Sequence, residues 1–174
     1  MIVGERSGLP AIVFRFQWPE AIRNDINSRD NPQGSITNSD LEMAALLMLF
    51  LALEGSAPSL GGKRVALYSD NTPTVHWVQR LASKRSDAAM QLIRALALRL
   101  QVNKASPLTT LHIEGSQNAM TDIPSRSFGG VSKWHCTNDR VFLTMYNTLF
   151  PLPNQESWTL FHLSSRPSEG QSQH

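Results

Sequence analysis

The stretch RVALYSDNTPTVHW, residues 64–77, decides the fold class. Its first part is a continuous apolar run, residues 65–68, which predicts a strand buried on both faces. Asp70 stands where this run ends, and Pro73 can occupy the first position of a helix that we expect to continue to about Leu81. The stretch therefore predicts a strand, a turn that carries a carboxylate, and a helix.

Regular structure is also predicted upstream of this stretch. Alternating apolar and polar residues predict a strand over residues 12–19, with residues 1–3 as the remnant of a hairpin partner. Residues 24–40 are dense in turn formers and are predicted to be a loop. A helix follows, and Ser39 and Glu42 have the spacing of a capping box at its start.

Downstream, strands and helices continue to alternate. The predicted elements are a helix over residues 86–104, a strand over 108–115, a short helix within 118–128, a helix within 137–153 and a possible strand within 157–165. The helix over residues 86–104 has apolar residues spaced for one buried stripe: Ala89, Leu92, Ile93, Leu96 and Leu100. This order of elements indicates a mixed α/β domain with parallel crossovers.

The composition is typical of one soluble domain with an additional tail. The chain has 174 residues, of which 41% are hydrophobic and 17% are charged. The single Cys136 cannot form a disulfide within the chain and cannot supply a cysteine-rich zinc site. No apolar run reaches the roughly 18 residues that a membrane span requires, and the start of the chain lacks the apolar core of a signal peptide. We therefore expect an intracellular protein that is neither secreted nor membrane-bound.

Basic residues are concentrated in one part of the chain. Residues 61–104 contain eight Lys and Arg residues against two Asp residues. Five of these are candidates for contacting phosphates, namely Lys84, Arg85, Arg94, Arg99 and Lys104. Binding of that kind would weaken steeply with salt. A solvated helix face explains the same pattern equally well.

Three acidic residues stand at predicted element boundaries: Glu42, Asp70 and Asp122. Ligands of open α/β sheets bind at the carboxyl ends of the strands, which is where Asp70 falls. Carboxylates gathered at such a place repel one another unless a cation offsets their charge, and oxygen ligands suit Mg²⁺ or Mn²⁺. Each acid also has a structural explanation: helix capping for Glu42, the turn for Asp70 and the helix dipole for Asp122.

Three segments resemble the ribonuclease H domain of retrotransposon reverse-transcriptase polyproteins: ITNSDLEMAALL, SDNTPTVHW and HIEGSQNAMTDIPSRSF. In that family the last catalytic Asp commonly lies in a phrase such as N-x-x-A-D-x-L-S-R, to which NAMTDIPSR, residues 118–126, is similar. The resemblance implies that Glu42 corresponds to the family's helix Glu, Asp70 to its second strand-end Asp and Asp122 to its last Asp.

The resemblance covers residues 1–128 and carries expectations about fold and function. It implies an α/β ribonuclease H-like mixed sheet with flanking helices. It also implies that Glu42, Asp70 and Asp122 are catalytic residues and ligands of Mg²⁺ or Mn²⁺ in a hydrolase, an endonuclease that cleaves the RNA strand of RNA–DNA hybrids. The implied partners are the hybrid and other domains of a polyprotein.

One part of the family pattern is missing from this sequence. The family's first Asp lies on a first strand well upstream of the helix Glu, and no residue before Glu42 takes that place. We therefore expect a truncated domain whose first strand is absent, which leaves the two flanking strands with unpaired backbone groups. Residues 1–174 alone are expected to show little or no nuclease activity.

Two alternatives stay open at this stage. Beside the ribonuclease H-like hydrolase, the chain could be a catalytically inactive nucleic-acid-binding remnant of the same fold, or an unrelated α/β domain whose three acids only cap helices. His112, His76 and the tryptophans Trp77, Trp134 and Trp158 are more readily explained by structural roles than by catalysis or base stacking. Residues 129–163 are predicted to be an extension or inter-domain linker with one helix, and residues 164–174 a disordered tail.

Overall fold

A computed structural model provides the three-dimensional structure of the chain. It describes residues 11–57, 59–84, 86–128, 132–136, 138–152 and 158–161. The chain divides into two compact units. The central unit is Trp18–Asp122, and the terminal unit combines residues before 18 with residues after 122.

The described residues form four strands and six α-helices. In chain order these are β1 (Ile12–Phe14), α1 (Glu20–Asn24), α2 (Asn38–Ser56), β2 (Ala66–Ser69), α3 (Thr72–Arg80), α4 (Asp87–Val102), β3 (Thr109–His112), α5 (Ala119–Arg126), α6 (Asp139–Leu149) and β4 (Thr159–Phe161). A single 3₁₀ turn, Gly115–Gln117, precedes α5. The predicted mixed α/β class is confirmed.

The central unit is built on two parallel strands and three helices. β2 and β3 pair in the register Ala66↔Thr109 to Ser69↔His112, which places the carboxyl ends of both strands at one edge. The helices α2, α3 and α4 pack with these strands around one hydrophobic core. Its buried members are Met43, Leu46, Phe50, Leu60, Leu67, Val78, Ile93, Leu96 and Leu100.

Local sequence signals determine where α3 and α4 begin. The Ser86 hydroxyl accepts a hydrogen bond from the Ala89 N–H at 3.0 Å and caps α4, whose predicted apolar stripe faces the core. The cap of α3 is Asn71, one residue earlier than the sequence indicated, so Pro73 is the second helical residue rather than the first. The helix ends at Leu81, which has a left-handed backbone with φ of 48°.

The prediction that β2 is buried on both faces is wrong. Leu67 and Ser69 are buried, but Ala66 is exposed and Tyr68 is 59% exposed. The alternation arises because the core covers only one face of this small sheet, although parallel sheets usually have both faces covered. On its other edge, β2 pairs with no strand in the part of the chain that the structure describes.

Two further expectations about the upstream region need correction. The strand predicted over residues 12–19 is shorter, and its parallel partner is β4 from the far end of the chain. The hairpin partner predicted at residues 1–3 lies outside the described residues. The five-residue helix α1, none of whose residues is buried, was not predicted, because so short a helix carries too little periodicity to be read from the sequence.

The terminal unit is organised around Arg15 and α6. The Arg15 Nη2 and Nε groups donate hydrogen bonds to Asp139 Oδ1 at 2.8 and 3.1 Å, and Nη1 donates to Ser127 Oγ at 3.0 Å. Its guanidinium carbon lies 4.8 Å from the ring centre of Phe128 and 4.7 Å from that of Phe142. We call these five residues the Arg15 cluster.

Aromatic side chains form the core of this unit. Tyr146 is fully buried and contacts Phe142, Phe150 and Trp158 with ring centres 4.9 to 5.4 Å apart. Burial raises the pKa of the Tyr146 phenol.

Within the described ranges, no helix is long and apolar enough to span a membrane.

Candidate functional site

The helix that carries Glu42 is capped by other residues than the sequence indicated. The backbone N–H and the hydroxyl of Thr37 donate to Asp40 Oδ2 at 2.8 and 2.6 Å, and the Thr37 hydroxyl accepts from the Asp40 N–H at 3.3 Å. The predicted capping box of Ser39 and Glu42 is therefore wrong, since the helix begins one residue after Thr37 and Asp40 takes the third position. Capping does not account for Glu42.

Glu42 carries a charge that the surrounding protein does not offset. Its side chain is half-buried one turn into α2. Burial raises the pKa of the Glu42 carboxyl, and the nearby negative charge of Asp70 raises it further. Within the described residues, the Glu42 carboxylate has no hydrogen-bond or ion-pair partner. Glu42 and Asp70 thus form a pair of like charges.

Asp70 lies at the carboxyl end of β2, as the sequence predicts, and it is exposed. The turn after it is held by its neighbour Asn71, whose Oδ1 accepts the Thr74 N–H at 3.0 Å. Asp70 Oδ2 points toward the loop after β3, where it would lie 3.6 Å from a Cβ atom placed on Gly115. Asn71 rather than Asp70 makes this hydrogen bond, so the turn does not account for Asp70. The exposed Asp70 carboxylate lies at the carboxyl end of β2, where ligands of open α/β sheets bind.

Asp122 is placed differently from the other two acids. It lies half-buried in the first turn of α5, and its backbone N–H donates to the Asn118 carbonyl oxygen at 3.0 Å. Across the described ranges, no three His, Cys, Asp or Glu side chains lie close enough together to hold one metal ion. The structure brings Glu42 near Asp70, whereas a ligand set that also includes Asp122 stays a prediction.

The chemistry of the acidic pair suits a hard divalent cation. Two carboxylates within electrostatic reach of each other, one of them half-buried with a raised pKa, are relieved when a cation offsets their repulsion. Mg²⁺ is commonly held by only one or two carboxylates, with waters and substrate phosphates completing its octahedron. Glu42 and Asp70 therefore fit as donors for Mg²⁺ or Mn²⁺.

The candidate phosphate-binding residues differ in availability. Arg99 pairs with Glu54, which accepts from Arg99 Nε at 3.0 Å and from Asn103 Nδ2 at 2.8 Å. Burial works against the Glu54 anion, but these hydrogen bonds and the Arg99 charge outweigh it and lower the Glu54 pKa. Arg99 is thus engaged in holding α4 to α2. Lys84, Arg94 and Lys104 are exposed, and Arg85 lies outside the described residues.

The histidines and tryptophans considered above are distributed over both units. His76 and His112 are exposed. Trp77 packs against the central core, and Trp158 is buried with its indole N–H donating to the Phe150 carbonyl oxygen at 2.7 Å. Trp134 lies half-buried beneath the Lys133 ammonium. Packing accounts for Trp77 and Trp158.

Two residues near the acidic pair were missed in the sequence. Asp40 is almost completely buried and also accepts a hydrogen bond from the Ser86 hydroxyl. Thr74 is fully buried, and its hydroxyl reaches the Ser39 carbonyl oxygen at 3.2 Å. The spacing from Thr37 to Asp40 is a capping signal that could have been found, whereas the contact of Thr74 joins residues far apart in the chain.

Comparison of the chain with protein-family models, with curated proteins and with solved structures finds no match. The interpretation of the site therefore rests on its residues and their geometry.

Proposed function

We propose that this chain is a ribonuclease H-like domain derived from a retroelement, whose site binds Mg²⁺ or Mn²⁺ and acts on the RNA strand of RNA–DNA hybrids. The observation that carries this proposal is the pairing of Glu42 with Asp70 at the carboxyl end of a parallel strand. A second support for the proposal is the resemblance of the segments around Glu42, Asp70 and Asp122 to the catalytic segments of that family.

Each acid has a definite role in the proposed site. Asp70 and Glu42 would hold the cation, and Asp122 is the third ligand that the resemblance implies. The bound cation would supply charge neutralisation at the scissile phosphate and activation of a water for hydrolysis. The exposed side chains of Lys84, Arg94 and Lys104 are candidates for holding the nucleic-acid backbone.

We expect hydrolysis by this chain to be slow or absent. Two-metal hydrolysis depends on a set of carboxylates held close together, and the described residues contain no group of three such side chains, although Asp70 lies near enough to Glu42 to raise its pKa. Binding of the cation and of the hybrid does not require the complete set. The chain is therefore proposed to bind hybrid together with a divalent cation while turning it over poorly.

A second candidate function is nucleic-acid binding without any metal. The exposed basic residues of the central unit, in a segment with few acids, favour it. Such a module would bind RNA–DNA hybrid through charge alone, with an affinity that falls with salt and does not respond to Mg²⁺.

Hybrid binding with and without Mg²⁺ at constant ionic strength separates the two functions. The affinity of the full chain for a fluorescent RNA–DNA hybrid is expected to rise in Mg²⁺, and Asp70→Asn should abolish that rise. Glu20→Gln, which changes an exposed acid on α1, is the matched control and should leave the rise unchanged. Equal affinity with and without Mg²⁺ favours the metal-free module, and absence of binding to the hybrid contradicts both.

Cleavage of the same hybrid is the direct test of catalysis. We expect little or no Mg²⁺-dependent product from the wild-type chain. Turnover that Asp70→Asn abolishes would overturn the expectation of impaired hydrolysis and would show a working nuclease. Turnover that survives Asp70→Asn would point to a contaminating enzyme, which a repeat preparation identifies.

A further inference from the structure

Thr74 connects the two elements that carry the acidic pair. It is fully buried in the first turn of α3, and its Oγ1 lies 3.2 Å from the Ser39 carbonyl oxygen at the start of α2. The same hydroxyl lies 2.9 Å from Asn71 Oδ1. The single hydroxyl proton thus has two acceptors within hydrogen-bond distance, one in the turn after β2 and one at the start of α2, and the Thr74 hydroxyl bridges them.

The path through this hydrogen bond is short on both sides. Ser39 lies one helical turn before Glu42, so the backbone that positions the glutamate is the one that Thr74 contacts. Asn71 follows Asp70 directly, and its N–H donates to Ser69 Oγ at 3.1 Å, which ties the turn to the end of β2. Thr74 therefore links the backbone around one acid to the backbone around the other.

A second tie anchors the same end of α2 from another direction. The buried Asp40 carboxylate accepts hydrogen bonds from Thr37 and from the Ser86 hydroxyl that caps α4. Asp40 thus holds α2 to α4, and among the described residues its hydrogen bonds go to Thr37 and Ser86 rather than to the turn that carries Asp70. The link toward Asp70 runs through Thr74.

We propose that Thr74 is a positioning residue whose hydroxyl holds the start of α2 against the turn after β2 and so keeps Glu42 beside Asp70. This inference rests on the proposed function, since the purpose of the arrangement is a shared divalent cation. Partners that orient metal ligands typically contribute 10- to 100-fold to metal affinity.

Mn²⁺ affinity tests the role of Thr74 without requiring catalysis. Mn²⁺ binding is measured by calorimetry on the full chain, and Asp70→Asn, which should abolish it, identifies binding at the acidic pair. Thr74→Val keeps the shape of the side chain and removes the hydroxyl, and it should weaken this binding by about 10-fold. Thr74→Ser keeps the hydroxyl and should stay within about threefold of wild type. Urea unfolding of each variant shows whether the chain is folded under the binding conditions. Wild-type Mn²⁺ affinity in folded Thr74→Val would overturn the proposal.

A second measurement decides the role of Thr74 if the wild-type chain binds no Mn²⁺ at the acidic pair. In that case the metal-binding function fails, and the repulsion between Glu42 and Asp70 becomes the readout. A double-mutant cycle of Glu42→Gln and Asp70→Asn at pH 7 and low salt measures this coupling from urea unfolding. The coupling should fall by about half or more in Thr74→Val and persist in Thr74→Ser. An unchanged coupling in Thr74→Val would refute the positioning role itself.

Discussion

Two charged sites in this molecule are built in opposite ways. In the terminal unit the Arg15 side chain is only 7% exposed, and Asp139, Ser127 and two phenylalanine rings satisfy its charge. In the central unit Glu42 is half-buried beside a second negative charge, and no described group donates a hydrogen bond to it. Removing one member of a compensated buried charge cluster is costly to stability, whereas a half-buried charge facing another of the same sign marks a candidate ligand site.

The same contrast occurs within one helix. Asp40 and Glu42 lie two residues apart in α2, and both are withdrawn from water. Asp40 accepts hydrogen bonds from the residues that cap two helices, Thr37 for α2 and Ser86 for α4, and these bonds compensate its burial. Glu42 has no such compensation. The positions of the two acids in the sequence therefore do not show which of them has a structural role, whereas their hydrogen-bond partners do.

The largest predicted effect tests the satisfied charge in the terminal unit. Arg15→Met keeps the aliphatic stem but removes the guanidinium from Asp139, Ser127 and the two rings, so it should lower the free energy of unfolding by about 2–4 kcal/mol. Urea unfolding followed by circular dichroism measures it. Arg140→Met, which changes an exposed arginine on α6, is the matched control and should change stability by less than about 0.5 kcal/mol. Equal effects for the two variants would show that the Arg15 cluster is not structural.

An intermediate effect is expected for the satisfied acid in α2. Asp40→Ala removes the capping box and the bond from Ser86, and we expect it to destabilise the chain by about 2 kcal/mol. Asp87→Ala changes an exposed acid in the first turn of α4 and should cost about 0.5 kcal/mol. Thermal unfolding of the two variants side by side gives the difference. A loss for Asp40→Ala no larger than for Asp87→Ala would remove the distinction between the two sites.

The smallest effect, and the one of opposite sign, is predicted for Glu42. Because its pKa in the folded chain is raised above the ordinary value of 4.5, the folded state disfavours the charged form. The wild-type chain should therefore lose stability as the pH rises from about 4.5 through the raised pKa, and Glu42→Gln should not show that loss.

Unfolding free energies measured from pH 4 to pH 8 test this sign. Glu42→Gln should be slightly more stable than wild type at pH 7, and the difference should vanish below the ordinary pKa. Asp70→Asn should reduce the difference, since it removes the neighbouring charge. Destabilisation by Glu42→Gln at pH 7 would mean that Glu42 has a favourable partner and that the acidic pair is structural.

Elements with strong local signals could be predicted from the sequence. The buried stripe of α4 repeats at helical spacing, and Ser86 caps it through a bond to a residue three positions away. β3 and the helix α6 are similarly marked by their own composition. The pairing of β1 with β4 could not be predicted, because strands of only three residues, far apart in the chain, do not specify their partners.

The candidate site was only partly predictable for the same reason. All three acids were noted for their positions at predicted element boundaries, and the resemblance to ribonuclease H domains grouped them into one site. That Glu42 does not cap its helix depended on where α2 begins, which Thr37 and Asp40 decide. The grouping of Glu42 with Asp70 depends on the packing of α2 against α3, which the sequence does not display.

The sequence by itself determined the α/β class, the helices α3, α4 and α6, and the placement of an acid at the carboxyl end of a parallel strand. These features depend on periodicity and on hydrogen bonds between residues a few positions apart. The tertiary structure alone decided which charges are satisfied: Arg15 by residues more than a hundred positions away, Asp40 by a serine on another helix, and Glu42 by none of the described groups. Electrostatic energy depends on distance in space and on burial, and neither is a function of separation along the chain.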